Sequence, residues 1–440
     1  MTTLAVRARD YLASRLGTGL AGGAIATFAL RASHATIEFL NLLLLARLLG
    51  AAEFGTYAIA IASANVLGVP AAAGFDRLLI REVAALRACE RWGALRGLLA
   101  RATQVALAAS TLLALALAAV AWWSIRDESL QSALCWAALL LPLVAFARLR
   151  QAAVQGLGRV PAGLLPETLV QPVTTMLLVL LAFVGMDVTR SGANAVALQC
   201  AAAVAAMLVG IGLVRALWPR DARRTEPVFE TARWLTSATP LMIMLGMNML
   251  LVNADTIMMG WLVDETLAGQ YRVAAQISML VGFPMTAINM AVAPTLARDY
   301  ALGDMTSLRR NTLRASRWAL LAALPIALVL FVGGRTLLGL FGPEFAAVYP
   351  TLMVLAAGWL ANSFAGATGY LLIMTKHEWL AAVIFTVAAL ATVGANYLLI
   401  RDLGAIGAAL GTAGGMALLG LGFWTCARRL FFQRAIEEVE

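Results

Sequence analysis

The chain alternates between long apolar segments and short polar connections. The apolar segments are roughly 20 residues or longer, which is the length that an α-helix needs to cross the hydrocarbon core of a membrane. Their hydrophobic residues are continuous rather than alternating, which favours helices over strands. The pattern predicts twelve membrane-spanning helices, near residues 19–46, 54–74, 98–124, 131–149, 160–184, 192–217, 235–263, 272–293, 316–334, 348–375, 380–400 and 404–426.

The first segment carries a line of polar residues, here called the helix-one stripe: Thr27, Arg31, His34, Glu38 and Asn41. They are spaced alternately by four and three residues, so they fall within an arc of roughly 80° on a helix that turns ~100° per residue. An arginine within a lipid-spanning helix costs on the order of 2.5–3.5 kcal/mol. Such residues usually face a bundle interior or a water-filled cavity. We therefore expect this stripe to line the path of something polar.

The composition agrees with a membrane assignment. Hydrophobic residues make up 61% of the 440 residues and charged residues 13%, and the mean hydropathy is +0.83. These values predict an all-α polytopic membrane protein. The four cysteines are scattered, so they predict neither a disulfide framework nor a metal site. We expect no removable signal peptide.

The net charge of +9 reports topology rather than a nucleic-acid partner. Arginines cluster in the connections on one side of the predicted bundle, for example at 77–96 and 215–233, whereas each connection on the other side holds about one. The positive-inside rule places the arginine-rich side in the cytoplasm. Because the number of spans is even, both termini are expected there as well.

The two halves of the chain share a pattern at a constant offset, since Gly55 and Gly269 are 214 positions apart and so are Pro70 and Pro284. The pairs are Gly55 and Gly269, Tyr57 and Tyr271, Ala60 and Ala274, Gly68 and Gly282, and Pro70 and Pro284. The repeat predicts two six-helix lobes of the same orientation, related by an axis along the membrane normal. Substrate sites in such folds lie at the repeat interface near mid-membrane.

The repeat also fixes the expected domain limits. We assign residues 1–218 to the first lobe, 219–230 to a cytoplasmic linker and 231–440 to the second lobe. The linker is the polar stretch between the sixth and seventh helices. The same offset maps His34 onto Asn248 and Asn41 onto Asp255, so the stripe is expected to be one of two walls of a cleft.

Further polar residues are candidates for the same cavity. Glu167, Gln171 and Thr174 form a second stripe on helix five, flanked by two prolines that weaken the helix. On the second lobe the candidates are Asn248 and Asp255 on helix seven, and Arg272 and Gln276 one turn apart on helix eight. The alternative for the stripe on helix five is a hydrogen bond between helices, and for the pair on helix eight it is contact with the membrane interface.

Short motifs follow one another in a set order along nearly the whole chain. They are Leu45-Ala46-Arg47-Leu48-Leu49-Gly50 and Glu53-Phe54-Gly55-Thr56-Tyr57, then Gly269-Gln270-Tyr271 and Pro294, then Leu340-Phe341-Gly342-Pro343-Glu344-Phe345, and finally Leu403-Gly404-Ala405-Ile406-Gly407-Ala408-Ala409. In this order they resemble the motifs of polysaccharide transporters, the Wzx-type lipid-linked oligosaccharide flippases. Each motif is loose on its own, and their order carries the resemblance.

The resemblance implies a MATE-like fold, shared with multidrug-extrusion and peptidoglycan-precursor (MurJ-type) transporters. It implies flipping of an undecaprenyl-diphosphate-linked oligosaccharide from the cytoplasmic to the periplasmic leaflet by alternating access, for O-antigen, capsule or exopolysaccharide synthesis. It also implies a monomer in the bacterial inner membrane. The expected partners are membrane lipids, a polysaccharide polymerase and a chain-length regulator, with no nucleic acid. No cofactor is implied except a coupling ion, H⁺ or Na⁺.

The charged residues of the stripe keep two interpretations each. Arg31 is interpreted as a cationic anchor for the diphosphate or an acidic sugar, because guanidinium can bind phosphate oxygens with two hydrogen bonds. The alternative is an ion pair with an acid on another helix, such as Glu167. His34 and Glu38 lie one turn apart and form either a proton-coupling pair or a structural polar cluster. Asp255 is interpreted as a site for a cation or proton, or as the partner of an arginine.

Two rival functions remain. A multidrug or small-solute antiporter of the same fold would favour acids in its cavity, so Arg31 argues against it. A membrane glycosyltransferase or polymerase would need a sizeable extramembrane domain, and the connections on the non-cytoplasmic side are too short for one. We therefore expect no enzymatic activity.

Overall fold

The computed structural model describes residues 20–375 and 377–432. Every regular element within these ranges is helical, which confirms the all-α class. The remaining residues, which include both termini used in the topology prediction, lie outside the described part. Counting each uninterrupted run once, the helices are α1 (Leu20–Ala72), α2 (Phe75–Ala88), α3 (Trp92–Ser124), α4 (Glu128–Gly156), α5 (Val160–Gly185), α6 (Gly192–Leu217), α7 (Arg220–Arg224), α8 (Thr231–Leu262), α9 (Glu265–Ala301), α10 (Met305–Gly339), α11 (Pro343–Ala365), α12 (Thr368–Met374) and α13 (Glu378–Ala427, continued by a π-turn over Arg428–Phe432).

Ten helices of the described ranges are long and apolar enough to cross a membrane, so the chain is a multi-pass membrane protein. Two of them, α1 and α13, are about twice the length that one span requires. Each contains one glycine with a positive φ, Gly50 at 72° and Gly404 at 56°, a conformation that costs other residues energy. The glycine divides each helix into two arms. Counting the arms separately gives a number consistent with the twelve predicted spans.

The break in α1 is held by the 3₁₀ turn that begins α11. The backbone N–H of Ala51, which starts the second arm, donates to Glu344 Oε1 at 3.2 Å. This bond satisfies a free helix-terminal donor and puts a negative charge near a helix N-terminus. The ring of Phe345 packs edge-on against Phe54 at 6.4 Å between centroids. The motif around Glu344 therefore stabilises the bend at Gly50.

Four other helices begin at side-chain caps that their sequences supply. Asp127, Asp264 and Asp304 accept hydrogen bonds from backbone N–H groups three residues later, at 2.6–2.8 Å, and Ser191 does so at 3.2 Å. Such caps satisfy helix donors that have no partner within the helix. They fix the starts of α4, α9, α10 and α6.

Packing divides the described residues into two compact units, the first formed by those up to Leu49 together with 63–242, and the second by 50–62 together with those from Ile243 onward. The predicted linker, residues 219–230, lies within the first unit and contains α7. The first unit has a core in which α2, α3 and α4 meet the end of α6 and the start of α8, with Leu95 and Trp234 fully buried.

The second unit has its own core. It is formed by α9, α10, α12 and the second arm of α13, with Leu296, Leu308 and Leu371 fully buried. A smaller group of apolar residues joins α8 to the first arm of α13. Each unit therefore buries apolar surface independently, as a lobe built from packed helices should.

Candidate functional site

The helix-one stripe runs from exposed to buried along the first arm of α1. Arg31 is exposed, His34 and Glu38 are half-buried, and Asn41 is buried. Arg31 forms no ion pair with any acid in the part of the chain that the structure describes. The alternative ion pair between Arg31 and Glu167 is therefore absent among these residues.

The inner end of the stripe is joined to α5. Asn41 donates from Nδ2 to the carbonyl oxygen of Pro172 at 2.9 Å. His34 Nδ1 is buried and finds no hydrogen-bond partner among the described residues. The hydrogen bond brings together the two stripes that were predicted separately, one on helix one and one on helix five.

Helix α5 is irregular at the position of its acid. A π-turn covers Pro166–Val170, which contains Glu167. Single π-turns within α-helices are frequent at functional sites. Glu167 and Gln171 line a cavity of about 20 Å³ together with Arg148 and Gln151 of α4. This volume holds about one water molecule. Arg148 and Glu167 thus border the same small cavity, and they form no ion pair within the described residues.

The second unit contains a buried carboxylate with a full set of donors. Asp255 of α8 is 2% exposed. Its Oδ2 accepts from the hydroxyl of Tyr271 at 2.5 Å and from the hydroxyl of Thr412 at 3.2 Å, and its Oδ1 accepts from the N–H of Thr256 at 2.7 Å. Burying a carboxylate is costly unless hydrogen bonds replace its water. We call Asp255, Tyr271 and Thr412 the Asp255 cluster.

Two predicted residues of α9 border this cluster. Arg272 and Gln276 line a cavity of about 20 Å³ that also touches Asp255 and Thr412. Arg272 donates to Asn253 Oδ1 at 3.3 Å, and it makes no ion pair with Asp255 within the described residues. The Arg272 guanidinium therefore lies near the Asp255 carboxylate without forming an ion pair with it.

Asn248 lies elsewhere in the second unit. It lines a larger cavity of about 260 Å³ with two other asparagines, Asn289 and Asn362. The larger cavity and the one beside Asp255 share a wall that includes Trp359. The repeat placed Asn248 and Asp255 on one face of a helix, and the structure places them at two neighbouring cavities.

Several residues of these sites were not predicted as functional. The sequence marks Tyr271 only as a position of the repeat and of the Gly269-Gln270-Tyr271 motif, and Arg148 only as an arginine on the predicted cytoplasmic side. Thr412 lies in a run of small residues that gives no signal, and Asn253 lies off the face of Asp255. The one usable signal was the pairing of Tyr271 with Tyr57 in the repeat.

The sequence matches known family profiles. A profile described as polysaccharide biosynthesis protein matches residues 20–299, and a profile described as MatE matches residues 240–400. The first match covers more than half of the chain. Comparison with curated protein sequences gives no match.

Solved structures share the fold. An inward-facing multidrug resistance MATE family transporter of the MOP superfamily aligns with a TM-score of 0.75 at 13% identity, over 93% of this chain and 98% of that one. The lipid II flippase MurJ in an inward closed conformation aligns with a TM-score of 0.67 at 13% identity, over 94% and 90%. A MOP superfamily transporter from Pyrococcus furiosus, described as having a binding pocket of reverse polarity, aligns with a TM-score of 0.63 at 13% identity, over 92% of this chain and 95% of that one. At this identity the likeness establishes the fold and confirms the predicted MATE-like architecture.

Proposed function

The chain belongs to the polysaccharide biosynthesis protein family, and from this premise we propose that it is a flippase for undecaprenyl-diphosphate-linked oligosaccharides. It moves them from the cytoplasmic to the periplasmic leaflet of the bacterial inner membrane by alternating access. Its products feed O-antigen, capsule or exopolysaccharide synthesis. The likeness in fold to a lipid II flippase supports a substrate of this chemical class.

The observation that carries the proposal is the exposed Arg31 within the helix-one stripe of a predicted membrane-spanning arm. A charge at this position costs on the order of 2.5–3.5 kcal/mol to insert, and no described acid neutralises it. A planar guanidinium binds phosphate oxygens through two parallel hydrogen bonds. Arg31 binds the diphosphate headgroup, and the half-buried His34 and Glu38 contact the first sugars.

The energy source in this proposal is an ion gradient, H⁺ or Na⁺. Asp255 is the coupling residue, since a buried carboxylate changes its hydrogen bonds when it takes a proton or a cation. Tyr271 and Thr412 connect it to α9 and to the second arm of α13. Binding of a proton or cation to Asp255 thereby changes the contacts among three helices at once.

The topology prediction completes the proposal. Both termini face the cytoplasm, and the monomer works beside a polysaccharide polymerase and a chain-length regulator. The lobes comprise residues 1–218 and 231–440 with the linker 219–230 between them.

A multidrug cation antiporter is the second candidate. The MatE profile over residues 240–400 and the buried Asp255 favour it, because an acid attracts cationic drugs. Arg31 opposes it by repelling them. Deletion of the gene separates the two candidates. Loss of broad drug efflux without any loss of surface glycan in the deletion strain would establish the antiporter and contradict the flippase.

The proposal is tested by substituting the headgroup anchor in cells of the natural host. We expect Arg31→Ala to abolish surface glycan while the protein remains in the membrane, and Arg31→Lys to restore it in part, since lysine keeps the charge without the planar fork. The matched control is Arg335→Ala, an exposed arginine near the end of α10. Normal surface glycan in Arg31→Ala would remove the anchor role.

A further inference from the structure

The cavity of the second unit that Asn248 lines has no role in the proposed binding of the headgroup or of the coupling ion. It encloses about 260 Å³ among α8, α9, α11, α12 and α13. This is slightly below the ~300–1,000 Å³ typical of drug-sized ligand sites. The volume therefore suits a single sugar ring rather than a drug or a whole oligosaccharide.

Three amide side chains converge on this cavity from three helices: Asn248 of α8, Asn289 of α9 and Asn362 of α11. Asn289 is only 3% exposed, and its Oδ1 has no hydrogen-bond partner in the described part of the chain. A buried polar atom without a partner is unusual in native proteins and requires an explanation. An amide offers both donors and acceptors, which is the requirement for binding hydroxyl and acetamido groups.

The described residues that line this cavity are all neutral. A phosphate or carboxylate held among them would lack a counter-charge from these residues and would be costly to bury. The negatively charged diphosphate headgroup therefore does not suit this cavity. A neutral polar ligand is the class that fits.

Aromatic rings supply the rest of the wall, among them Trp359, Tyr370, Phe385 and Phe423. A pyranose has one apolar C–H face and a rim of hydroxyl groups. Flat rings match the face, because aromatic side chains offer large rigid apolar surfaces, and the amides match the rim. The combination distinguishes a sugar from a purely apolar lipid tail.

Trp359 is held in a defined position. A Cβ built on Gly282 of α9 would lie 2.4 Å from the Trp359 ring, so the ring packs directly on the glycine backbone. The same ring borders the small cavity at Asp255. A sugar in the larger cavity would thus contact a side chain that also adjoins the Asp255 cluster.

We propose that this cavity is a binding site for one uncharged sugar residue, a hexose or an N-acetylhexosamine, of the transported glycan. The proposal rests on the proposed function for the source of the sugar. It is separate from the headgroup site at Arg31, which lies in the other unit. It assigns recognition of neutral sugar to Asn289 and Asn362, with Trp359 as the stacking surface.

The test is saturation-transfer NMR on the full-length protein in detergent micelles, with N-acetylglucosamine, glucose and glucuronate as three separate probes. We expect transfer to N-acetylglucosamine or glucose and much less to glucuronate. Asn289→Ala and Asn362→Ala should each raise the dissociation constant of the sugar about tenfold, which corresponds to ~1.4 kcal/mol, and the saturation-transfer signal should fall accordingly. The matched control is Asn194→Ala, since Asn194 is a partly buried asparagine at the start of α6 in the first unit and should leave binding unchanged.

The melting temperature of each variant separates lost binding from lost folding, and Asn362, which is only half-buried, provides the variant expected to fold normally. Equal transfer in all variants, stronger transfer to glucuronate, or no transfer to either neutral sugar would overturn the proposal. A wild type that binds no sugar but still flips glycan would refute this site alone. Sugar binding in a chain that exports no glycan would refute the flippase and keep the site.

Discussion

The Asp255 carboxylate shows how one buried acid ties distant parts of the chain together. Its donors come from its own helix, from α9 sixteen residues later and from the second arm of α13, 157 residues later. All three are hydrogen bonds to a charged or ionisable group, which are stronger than bonds between neutral groups. Any cation or proton that reaches Asp255 must therefore rearrange the bonds to Tyr271 and Thr412.

The substitution Tyr271→Phe tests this arrangement. It removes the 2.5 Å bond and leaves Asp255 Oδ2 with Thr412 as its one described donor. We expect the free energy of unfolding to fall by about 1–3 kcal/mol, the cost of a buried polar group that loses its partner. Thermal unfolding in detergent measures the change. Tyr397→Phe is the control, because its hydroxyl bonds Arg401 at an exposed position and a surface change of this kind is within about 0.5 kcal/mol.

A second substitution, Asp255→Asn, tests the coupling role. The amide retains the shape and one acceptor but cannot take up a proton or bind a cation as a carboxylate does. We expect glycan movement to lose its dependence on an applied ion gradient while the protein still folds. Movement that responds to the gradient as in the wild type would contradict coupling at Asp255.

The sequence identified the acids and arginines but not their partners. Asp255 was predicted as an isolated acid, and Asn253, two residues earlier, points about 200° away around the helix. The long side chain of Arg272 nevertheless reaches Asn253 from α9. Helical periodicity fixes which face a residue occupies on its own helix, but it says nothing about which residues of other helices lie opposite.

Two glycines of the internal repeat pack directly on each other. A Cβ built on Gly269 of α9 would lie 2.4 Å from the carbonyl oxygen of Ala51 and 2.8 Å from the nitrogen of Gly55, and a Cβ on Gly55 would lie 1.7 Å from the carbonyl oxygen of Glu265. Small residues at such positions let two helix backbones approach closely. The constant offset of the repeat identified Gly55 and Gly269 as equivalents. Their direct contact required the structure.

Gly269→Ala should prevent this close approach, because backbone atoms cannot move aside as a flexible side chain can. We expect a strong loss of folded protein, measured by size-exclusion chromatography of the detergent extract. Gly394→Ala is the matched control within a helix, since a Cβ there meets nothing within 4 Å. The control should be neutral or stabilising by roughly 0.5–1 kcal/mol. A normal yield of folded Gly269→Ala would show that the two helices can separate freely.

The segment before α8 is bound to the start of α3 by its backbone. Arg96 donates to the carbonyl oxygens of Arg223 and Thr225 at 3.0 and 2.9 Å, and the N–H of Val228 donates to the carbonyl oxygen of Gly93 at 2.9 Å. Hydropathy predicted this polar stretch as a linker. It could not predict that the segment lies along a helix, since polar composition does not specify a docking surface.

Ion pairs fasten the end of this segment and make it sensitive to pH. Glu230 bonds Arg91 at 2.5 Å and Arg233 at 2.7 Å. The hydrogen bond from Arg91, with a further bond from Arg233, holds the pKa of the Glu230 carboxyl below its usual value. A lowered pKa means that the contact stabilises the folded segment above about pH 4.3, the ordinary value for glutamate, and is lost as the pH falls through the lowered value.

Glu230→Gln should release the segment at neutral pH. We expect faster tryptic cleavage after the exposed Arg224, and cleavage of the wild type should accelerate at high salt, because exposed pairs are screened. The control is Glu226→Gln in the same segment, whose exposed carboxylate has no partner among the described residues. Equal cleavage of the two variants would show that the ion pairs do not hold the segment.

At the level of the whole chain, hydropathy anticipated the all-helical membrane architecture. Apolar length is a direct consequence of membrane thickness, so long apolar segments mark the spans in the sequence. The break at Gly50 falls between the expected spans 19–46 and 54–74, and the break at Gly404 falls at the first residue of the expected span 404–426. The neutral sugar-sized cavity was not foreseen. Of its three asparagines only Asn248 was a candidate, because isolated polar residues on three apolar helices carry no pattern until the helices are packed.

The central claim is that this chain moves a lipid-linked glycan across a membrane and holds its headgroup at Arg31. It is tested most directly with purified protein in sealed lipid vesicles that contain an undecaprenyl-diphosphate-linked oligosaccharide, under an imposed H⁺ or Na⁺ gradient. The fraction of glycan that a membrane-impermeant glycosidase can cleave reports movement between leaflets. We predict that this fraction rises with the wild type and not with Arg31→Ala, whereas Arg335→Ala behaves as the wild type. No protein-dependent rise in vesicles that still export cationic dyes, or equal movement by Arg31→Ala, would contradict the account.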